Sequence, residues 1–477
     1  MKVMQIVTEV FGKLMKTTSL FASSALLAAI VTGCTQESLD TQGPSLPDNP
    51  GDKVTLTVSA VTKNPEVSDE TGTKVSYGAT NATWETGDQI FLIKSDGTTI
   101  TLTLTDGAGT TSGEFSSTDP VVAGTYIPYA VSKTSLDKGF VSVSAGVITL
   151  NLSTPGGGSL ADALEHDILK GTSVDLTADQ TTATIGDLST HILSYLRFRF
   201  TSASKAVSTI GMDSAGGVYR TVNIATNGKV SGSDSSTEVV NVMASDDGAG
   251  TYAGYFAVLG STSTSLMAHA EDEDGGKYTR LVSTKTANYT AGTVYGKTIT
   301  LTADMVTAAA TGSLSEHPWK NLGLSVKWAE FNVGSSSEYS YDRNVYNDAG
   351  SSVVPAAWSG WRLPTRDEVQ ELFYASERQW VTGATNGVKF ICNGSYLPMG
   401  AGGRERWSDS NDWSYGIGSD VYFYINETTS GGVNGDVRIW AVISGAGQNL
   451  AFGSTNLGNS TTTMWNTTAQ RLVCDYE

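Results

Sequence analysis

Few residues in this chain have the types and spacing to do chemistry, and they fall into two groups. The first is Cys34, preceded by Lys13 and Lys16, an apolar run from Leu20 to Val31, and then Thr32 and Gly33. A short hydrophobic stretch with basic residues upstream and small residues at its end is an export signal, not a membrane span. A small residue directly before a cysteine is the pattern of a lipoprotein signal. The thiol takes a diacylglyceryl group, the chain is cut before the cysteine, and the new amine is acylated, palmitate being such a chain. Several acyl chains hold a protein to a bilayer far more firmly than one. The expected mature protein therefore begins at Cys34, tethered to the outer membrane by its N-terminus. Glu9 is out of place in the charged region, and a start at Met15 gives a tidier signal. The second group is a polar loop carrying Trp407, Asp409, Asn411, Asp412, Trp413 and Tyr415. Indole and phenol rings stack on the apolar faces of sugars, while carboxylates and amides take hydroxyls. Tryptophan is more often core than contact, so most of these six are expected to be structural and the remainder to bind ligand.

Little else invites chemistry. Three cysteines and four histidines leave almost no material for a metal or redox centre, and none is expected. With Cys34 lipidated, Cys392 and Cys474 either form one disulfide in an oxidising compartment or remain two buried thiols. No nucleophile–base pair or phosphate-binding glycine loop is apparent, so no catalytic residues, no cofactor and no enzymatic activity are expected. The acidic run Glu271 to Asp274 before Gly275 lacks the further ligands of a calcium loop and fits a hairpin turn. A net charge of -18 argues against nucleic acid and anionic lipid as partners, since both need a basic face.

The elements that must position these groups are mostly strands. At 477 residues the chain is too long for one core. Residues 34–52 are polar, with Pro44, Pro47 and Pro50, and read as a flexible tether. From Lys53 the pattern becomes strict alternation: Val54, Leu56, Val58, Ala60 interleaved with Thr55, Thr57, Ser59. It recurs at Ile100, Leu102, Leu104, at Ile148, Leu150, Leu152, and at Leu196, Phe198, Phe200. Turn signals punctuate it at Asp96-Gly97, Asp106-Gly107, Asn227-Gly228 and Asp247-Gly248. Such a chain predicts β-sandwiches. A softer stretch, Ala303 to Ser315, then separates a different composition: of ten tryptophans only Trp84 precedes Trp319. One helix is predicted there, with Thr365 and Glu368 as a capping box, Val369, Leu372 and Phe373 on one face, and Gly383 as its limit. That region is expected to be α+β.

Three strings resemble the fimbrillin family, the subunits of type V pili and related surface lipoproteins: ATWETGDQIFL (Ala82 to Leu92), HDILKG (His166 to Gly171) and HILSYLRFRF (His191 to Phe200). The resemblance covers about residues 53–305. It implies two consecutive Ig-like or transthyretin-like β-sandwiches, over 53–165 and 166–305, after a signal peptide at 1–33. His166 and His191 are expected to cap or pack within strands. A linker at 306–318 leads to a last domain, 319–477, similar to a C-type-lectin-like module of such surface proteins. Its matching strings are LGLSVKWA (Leu322 to Ala329), WRLPTRDEVQEL (Trp361 to Leu372), YLPMGAGGR (Tyr396 to Arg404) and RLVCDYE at the end. It departs from the module where RWSDS (Arg406 to Ser410) replaces aromatic-Trp-Ser-Ser, and between Val333 and Trp358, where an aromatic-Gly motif is missing. The calcium-binding tripeptides of sugar-binding lectins are absent, Trp465-Asn466-Thr467 being a partial echo.

The fimbrillin resemblance implies a mechanism. A lipid-anchored precursor reaches the surface, a trypsin-like protease removes an N-terminal strand, and a strand of the next subunit fills the groove. Here Lys63 follows the strand Val54 to Val61 as the processing residue, with Lys74 as competitor; each is equally well read as a solubilising turn lysine. A folded domain at the C-terminus does not thread readily into a neighbour's groove. The expected role is therefore an accessory or tip subunit of a pilus, at the outer membrane or in the fimbrium, accepting a strand and adhering to a glycan or protein receptor through its last domain. The alternative is a surface glycan-binding lipoprotein that never polymerises. An enzymatic alternative rests on RLPT followed by an acidic helix, similar to formylglycine-generating proteins, whose Arg-Gly-Gly-Ser-Trp string is missing.

Overall fold

The computed structural model describes residues 83–334 (save 187, 263–264, 284–286 and 308), 338, 354–381, 387–400 and 471–476. Outside these it describes backbone pairing of the strands Leu56–Val61, Glu66–Ser68, Lys74–Val75, Glu405–Arg406, Trp413–Ser414, Asp420–Thr428, Asn434–Ser444 and Gly447–Gly453. The fold is mainly β, in several sheets, none of them closed.

Alternation builds the first sheet from β1 (Leu56–Val61), β2 (Gln89–Lys94), β3 (Thr99–Asp106), β4 (Ser112–Ser117), β5 (Gly124–Val131), β6 (Ile168–Lys170) and β7 (Thr182–Thr184). They run in the order β7-β1-β4-β3-β2-β5-β6, with Thr190–His191 beyond β6. On β3, Ile100, Leu102 and Leu104 are buried while Thr103 and Thr105 are exposed, the period-two pattern of a half-buried strand. β2 is buried on both faces. Ile90 and Leu92 join Phe115 and Trp84 on one side, and Phe91 and Ile93 join Ile148, Leu150 and Val222 on the other. The sheet is thus a wall between two cores. The β2–β3 turn needs its glycine: Gly97 has φ +93°, and a Cβ there would lie 2.9 Å from the Ala145 carbonyl.

The second group is β8 (Ser194–Ser202), β9 (Val207–Ser214), β10 (Val240–Met243), β11 (Thr251–Val258), β12 (Leu266–Asp272), β13 (Lys277–Ser283) and β14 (Thr293–Leu301). One sheet runs Gly156–Gly157, β11, β8, β14, Glu66–Ser68, Lys74–Val75; its partner runs β10-β9-β12-β13. Phe198, Phe200, Phe256, Ile210, Met212 and Ala268 fill the space between them. The expected division at 165/166 does not separate sheets. Strands Val141–Ser144 and Val147–Asn151 pair into one sheet with Val218–Ile224 and Val230–Ser236, β6 and β7 extend the first sheet, and 66–75 joins the second. The physical reason is a shared core, in which Ile148 and Leu150 pack with Tyr195, Val222 and Ile224.

The last region holds a sheet of Thr311–Leu314, His317–Lys320, β15 (Lys327–Ala329) and a final strand, Val473–Cys474. The span 306–318, read as linker, therefore contains its outer strand. α1 (Arg366–Ala375) has the capping box: Glu368 N–H donates to Thr365 Oγ1 at 3.2 Å, and Thr365 N–H to Glu368 Oε2 at 2.7 Å. Val369, Leu372 and Phe373 pack against Trp328, Phe390 and Leu397. The helix stops at Ala375 because Ser376 is extended and leads into the strand Glu377–Val381; Gly383 lies outside the described residues. β16 (Gly387–Cys392) and β17 (Ser395–Gly400) complete a three-stranded sheet with that strand, and Val473–Cys474 is β18. Among the described residues no helix is long and apolar enough to cross a membrane.

Candidate strand-exchange site

β1 is held at both edges. It pairs antiparallel with β4 from Leu56↔Ser117 to Val61↔Ser112, and parallel with β7 through Thr57↔Thr182, Val58↔Ala183 and Ser59↔Thr184. Val58 stands opposite Phe115, which is fully buried with its ring centroid 4.8 Å from that of Trp84 in an edge-on contact. Ala60 stands opposite Gly113, where a Cβ would lie 2.7 Å from Leu104 and 2.9 Å from both Phe115 and Trp84. The next strand, Glu66–Ser68, pairs with β14 in a different sheet. Lys63 falls between these two strands and outside the described residues; Lys74 opens the strand Lys74–Val75, paired with Ser68.

The end of the chain is held differently. β18 pairs with β15 through Lys327↔Cys474 and Trp328↔Val473, and its other edge bridges Arg362 by two 2.9 Å backbone bonds with Val473. Arg362 also reaches Glu368 and Asp475, each at 2.6 Å. Arg471 is 1% exposed and donates to four oxygens: Asn332 Oδ1 at 2.8 Å and the carbonyls of Ala329 (2.9 Å), Glu330 (2.6 Å) and Pro398 (2.9 Å). Burial pushes its pKa down to about 9, which leaves it cationic at neutral pH.

The last region also covers the β13 edge of the β10-β9-β12-β13 sheet. Thr279 N–H donates to the Gly323 carbonyl at 2.9 Å, and Leu281 N–H to Glu371 Oε1 at 3.2 Å. The buried Glu371 carboxylate also accepts from Ser325 N–H at 2.8 Å and Ser325 Oγ at 2.5 Å. Sequence reading missed Arg471 and Glu371. The one signal available for Glu371 was its place on α1 beside Leu372, within reach of the apolar face.

Of the other expected sites, Cys34, Trp407, Asp409, Asn411, Asp412 and Tyr415 lie outside the described residues, and Trp413 is described only as part of the pairing Arg406↔Trp413. Cys392 and Cys474 are buried thiols, not a disulfide. They face different cores: Cys392 packs with Leu397 and Val473, whereas Cys474, on the opposite face of β18 from Val473, packs with Trp358 and Trp361. Burial raises the Cys392 thiol to about 12, which keeps it protonated and unreactive. His166 is buried and stacked on Phe140 with centroids 4.1 Å apart; His191 Nδ1 lies 2.6 Å from Asp167 Oδ2. The acidic run forms the β12–β13 hairpin turn. Asp272 Oδ1 accepts from Asp274 N–H at 2.9 Å and Gly276 N–H at 2.8 Å, and Lys205 Nζ lies 3.2 Å from Asp274. No cluster able to hold a metal ion occurs among the described residues.

No protein-family model matches the chain, and no curated protein matches it. Among solved structures, it is similar to a candidate cell adhesion protein from Bacteroides ovatus, at 12% identity and a TM-score of 0.34, over 51% of this chain and 91% of that one. It is also similar to the tip fimbrial protein Mfa3 from Porphyromonas gingivalis with C-terminal truncation, at 10% identity and a TM-score of 0.25, over 48% and 81%. The third is the fimbrial anchor protein Mfa2 from the same organism, at 12% identity and a TM-score of 0.25, over 50% and 83%.

Proposed function

We propose that this chain is a surface-exposed lipoprotein of fimbrillin type, an accessory or tip subunit that accepts a donor strand from a neighbour and adheres through its C-terminal region. The observation that carries the reading is the position of β1, inserted between β4 and β7 and followed by a segment that belongs to another sheet. Excision of β1 leaves a gap one strand wide. Its walls are the bare backbone edges of β4 and β7, and the Phe115 and Trp84 side chains lie beside it. An extended segment with alternating apolar residues fits such a gap by backbone bonding, which is β-augmentation. Residues 471–476 are fixed at both edges of β18 and by Arg471, so they are not the donor. The lipid at Cys34 and the lectin-like character of 319–477 enter this reading from the sequence strings.

The test is N-terminal sequencing of the protein recovered from filaments, with immunogold labelling of the cells. Cleavage after Lys63 gives Asn64 as the first residue and frees β1 alone. Cleavage after Lys74 gives Val75, and also strips the strand Glu66–Ser68 from β14. Material that yields no sequence because its N-terminus is still the acylated Cys34, or label spread evenly over the envelope and absent from filaments, refutes the proposal.

A further inference from the structure

The outer face of the β10-β9-β12-β13 sheet, turned away from its core, carries polar residues in register. Asn241, Gly211, His269 and Thr279 lie side by side across the four strands. Thr209, Glu271 and Lys277 form the adjoining row, and Asp213 lies one step to the other side. Gly211 matters here. A Cβ at that position would sit 2.4 Å from Asn241 Oδ1 and 3.2 Å from the Cβ of His269, so its absence lets the Asn241 amide lie across the strand. His269 is held through Nδ1, 3.0 Å from Thr279 Oγ1, while Nε2 and Asp213 Oδ1 lie 3.2 Å apart and neither has a hydrogen-bond partner among the described residues. From the last region the β16–β17 turn comes down over this face. There Asn393 donates to the Leu322 carbonyl at 2.8 Å and touches Thr279 Oγ1 at 3.4 Å. Between sheet face and turn is a cleft of about 380 Å³.

We propose that this cleft binds a short neutral saccharide. The Glu271 carboxylate lies 3.8 Å from Lys277 Nζ, so that pair carries no net charge, and Asp213 beside His269 offers a carboxylate acceptor for sugar hydroxyls. The remaining polar groups are amides and hydroxyls, which both donate and accept, as vicinal sugar hydroxyls require. Val239, 40% exposed, and Ile391 supply apolar patches for the C–H face of a ring. Ligand sites concentrate where two packed regions meet, and a sugar touching both Asn241 and Asn393 would bridge them. The site is separate from the strand-exchange gap, and none of the residues named in it belongs to the Trp407 loop.

The test uses the full chain in saturation-transfer NMR with galactose, mannose, fucose, N-acetylglucosamine, lactose and N-acetyllactosamine, followed by titration of those that respond. At least one is expected to bind. Asn241→Trp, which fills the cleft from an exposed position, is expected to weaken it by about tenfold or more, and Asp213→Asn by a smaller factor. Circular dichroism of both variants checks that the fold is kept. The proposal is overturned if no saccharide shows transfer, or if Asn241→Trp and Asp213→Asn leave binding unchanged. Loss of binding on Trp407→Ala with Asn241→Trp silent would put the sugar on that loop and overturn it equally.

Discussion

Two strands of this molecule, β1 and β18, are each inserted between neighbours on both edges, yet they are held by different physics. β1 has an antiparallel ladder on one side and a parallel one on the other, and the next strand in sequence lies in a different sheet. β18 is only two residues long. What fixes it is the company of Arg471 with its four oxygens, the Arg362 clamp, and the burial of Val473 and Cys474 in separate cores. A backbone ladder reads only the extended shape and the alternation of the strand it binds, so another chain can take its place. A buried side-chain lock reads identity. β1 is held by contacts that any extended apolar strand could make, and β18 by contacts that only its own side chains make.

The largest effect that would break this contrast is expected from Arg471→Met. The substitution keeps much of the volume and removes every donor, leaving three carbonyls and the Asn332 amide oxygen buried without their partner. The expected cost is about 3 kcal/mol or more, read by urea unfolding of the full chain. A loss under about 1 kcal/mol would mean that β18 is held by its ladder after all. Acid should act on the opposite end. His166 is 2% exposed, and neither ring nitrogen has a hydrogen-bond partner among the described residues. Burial pushes its pKa from 6.5 down to about 4. Between those values the unfolded chain binds the proton and the folded one does not. Stability is therefore complete above pH about 6.5, falls as the pH drops, and is lower by about 3 kcal/mol near pH 4. His166→Phe should flatten that dependence in thermal unfolding at pH 7, 5.5 and 4, while limited proteolysis at pH 4 opens the front sheets before the Arg471-locked end.

Much of this was legible in the chain. The alternations at Ile100 to Leu104 and Leu196 to Phe200 became β3 and β8, the Thr365–Glu368 box caps α1, and the acidic run is a turn closed on Asp272. What alternation does not tell is which sheet a strand joins. It marks a buried face, and the partner is chosen by the core: Ile148 and Ile224 are register partners across 76 residues of chain. Arg471 and Glu371 were illegible for a related reason. A charged residue in a sequence reads as solvated, and only the assembled fold supplies the four oxygens of one and the strand edge of the other. The cleft over His269 needs the register of four strands and a turn from beyond residue 390, so no local string announces it.

The smallest expected effect tests the floor of the β1 gap. Gly113 lies opposite Ala60, and a Cβ at 113 would press on the Leu104 methyl, the Phe115 ring and the Trp84 indole, all at 2.7–2.9 Å. Gly113→Val should cost about 1–3 kcal/mol by overpacking, with strand propensity offsetting a few tenths. Its larger consequence is kinetic. Phe115 and Trp84 are the side chains that any strand replacing β1 must settle against, so displacing them should slow insertion of a synthetic peptide of the β1 sequence into trypsin-treated protein. Global stability reports on the whole molecule and peptide uptake on the gap alone. A variant that loses stability but takes up peptide at the normal rate would show that β1 rests on its ladders without help from the floor. Slow uptake would show that even β1 is partly selected by side chains, and the contrast with β18 would become one of degree.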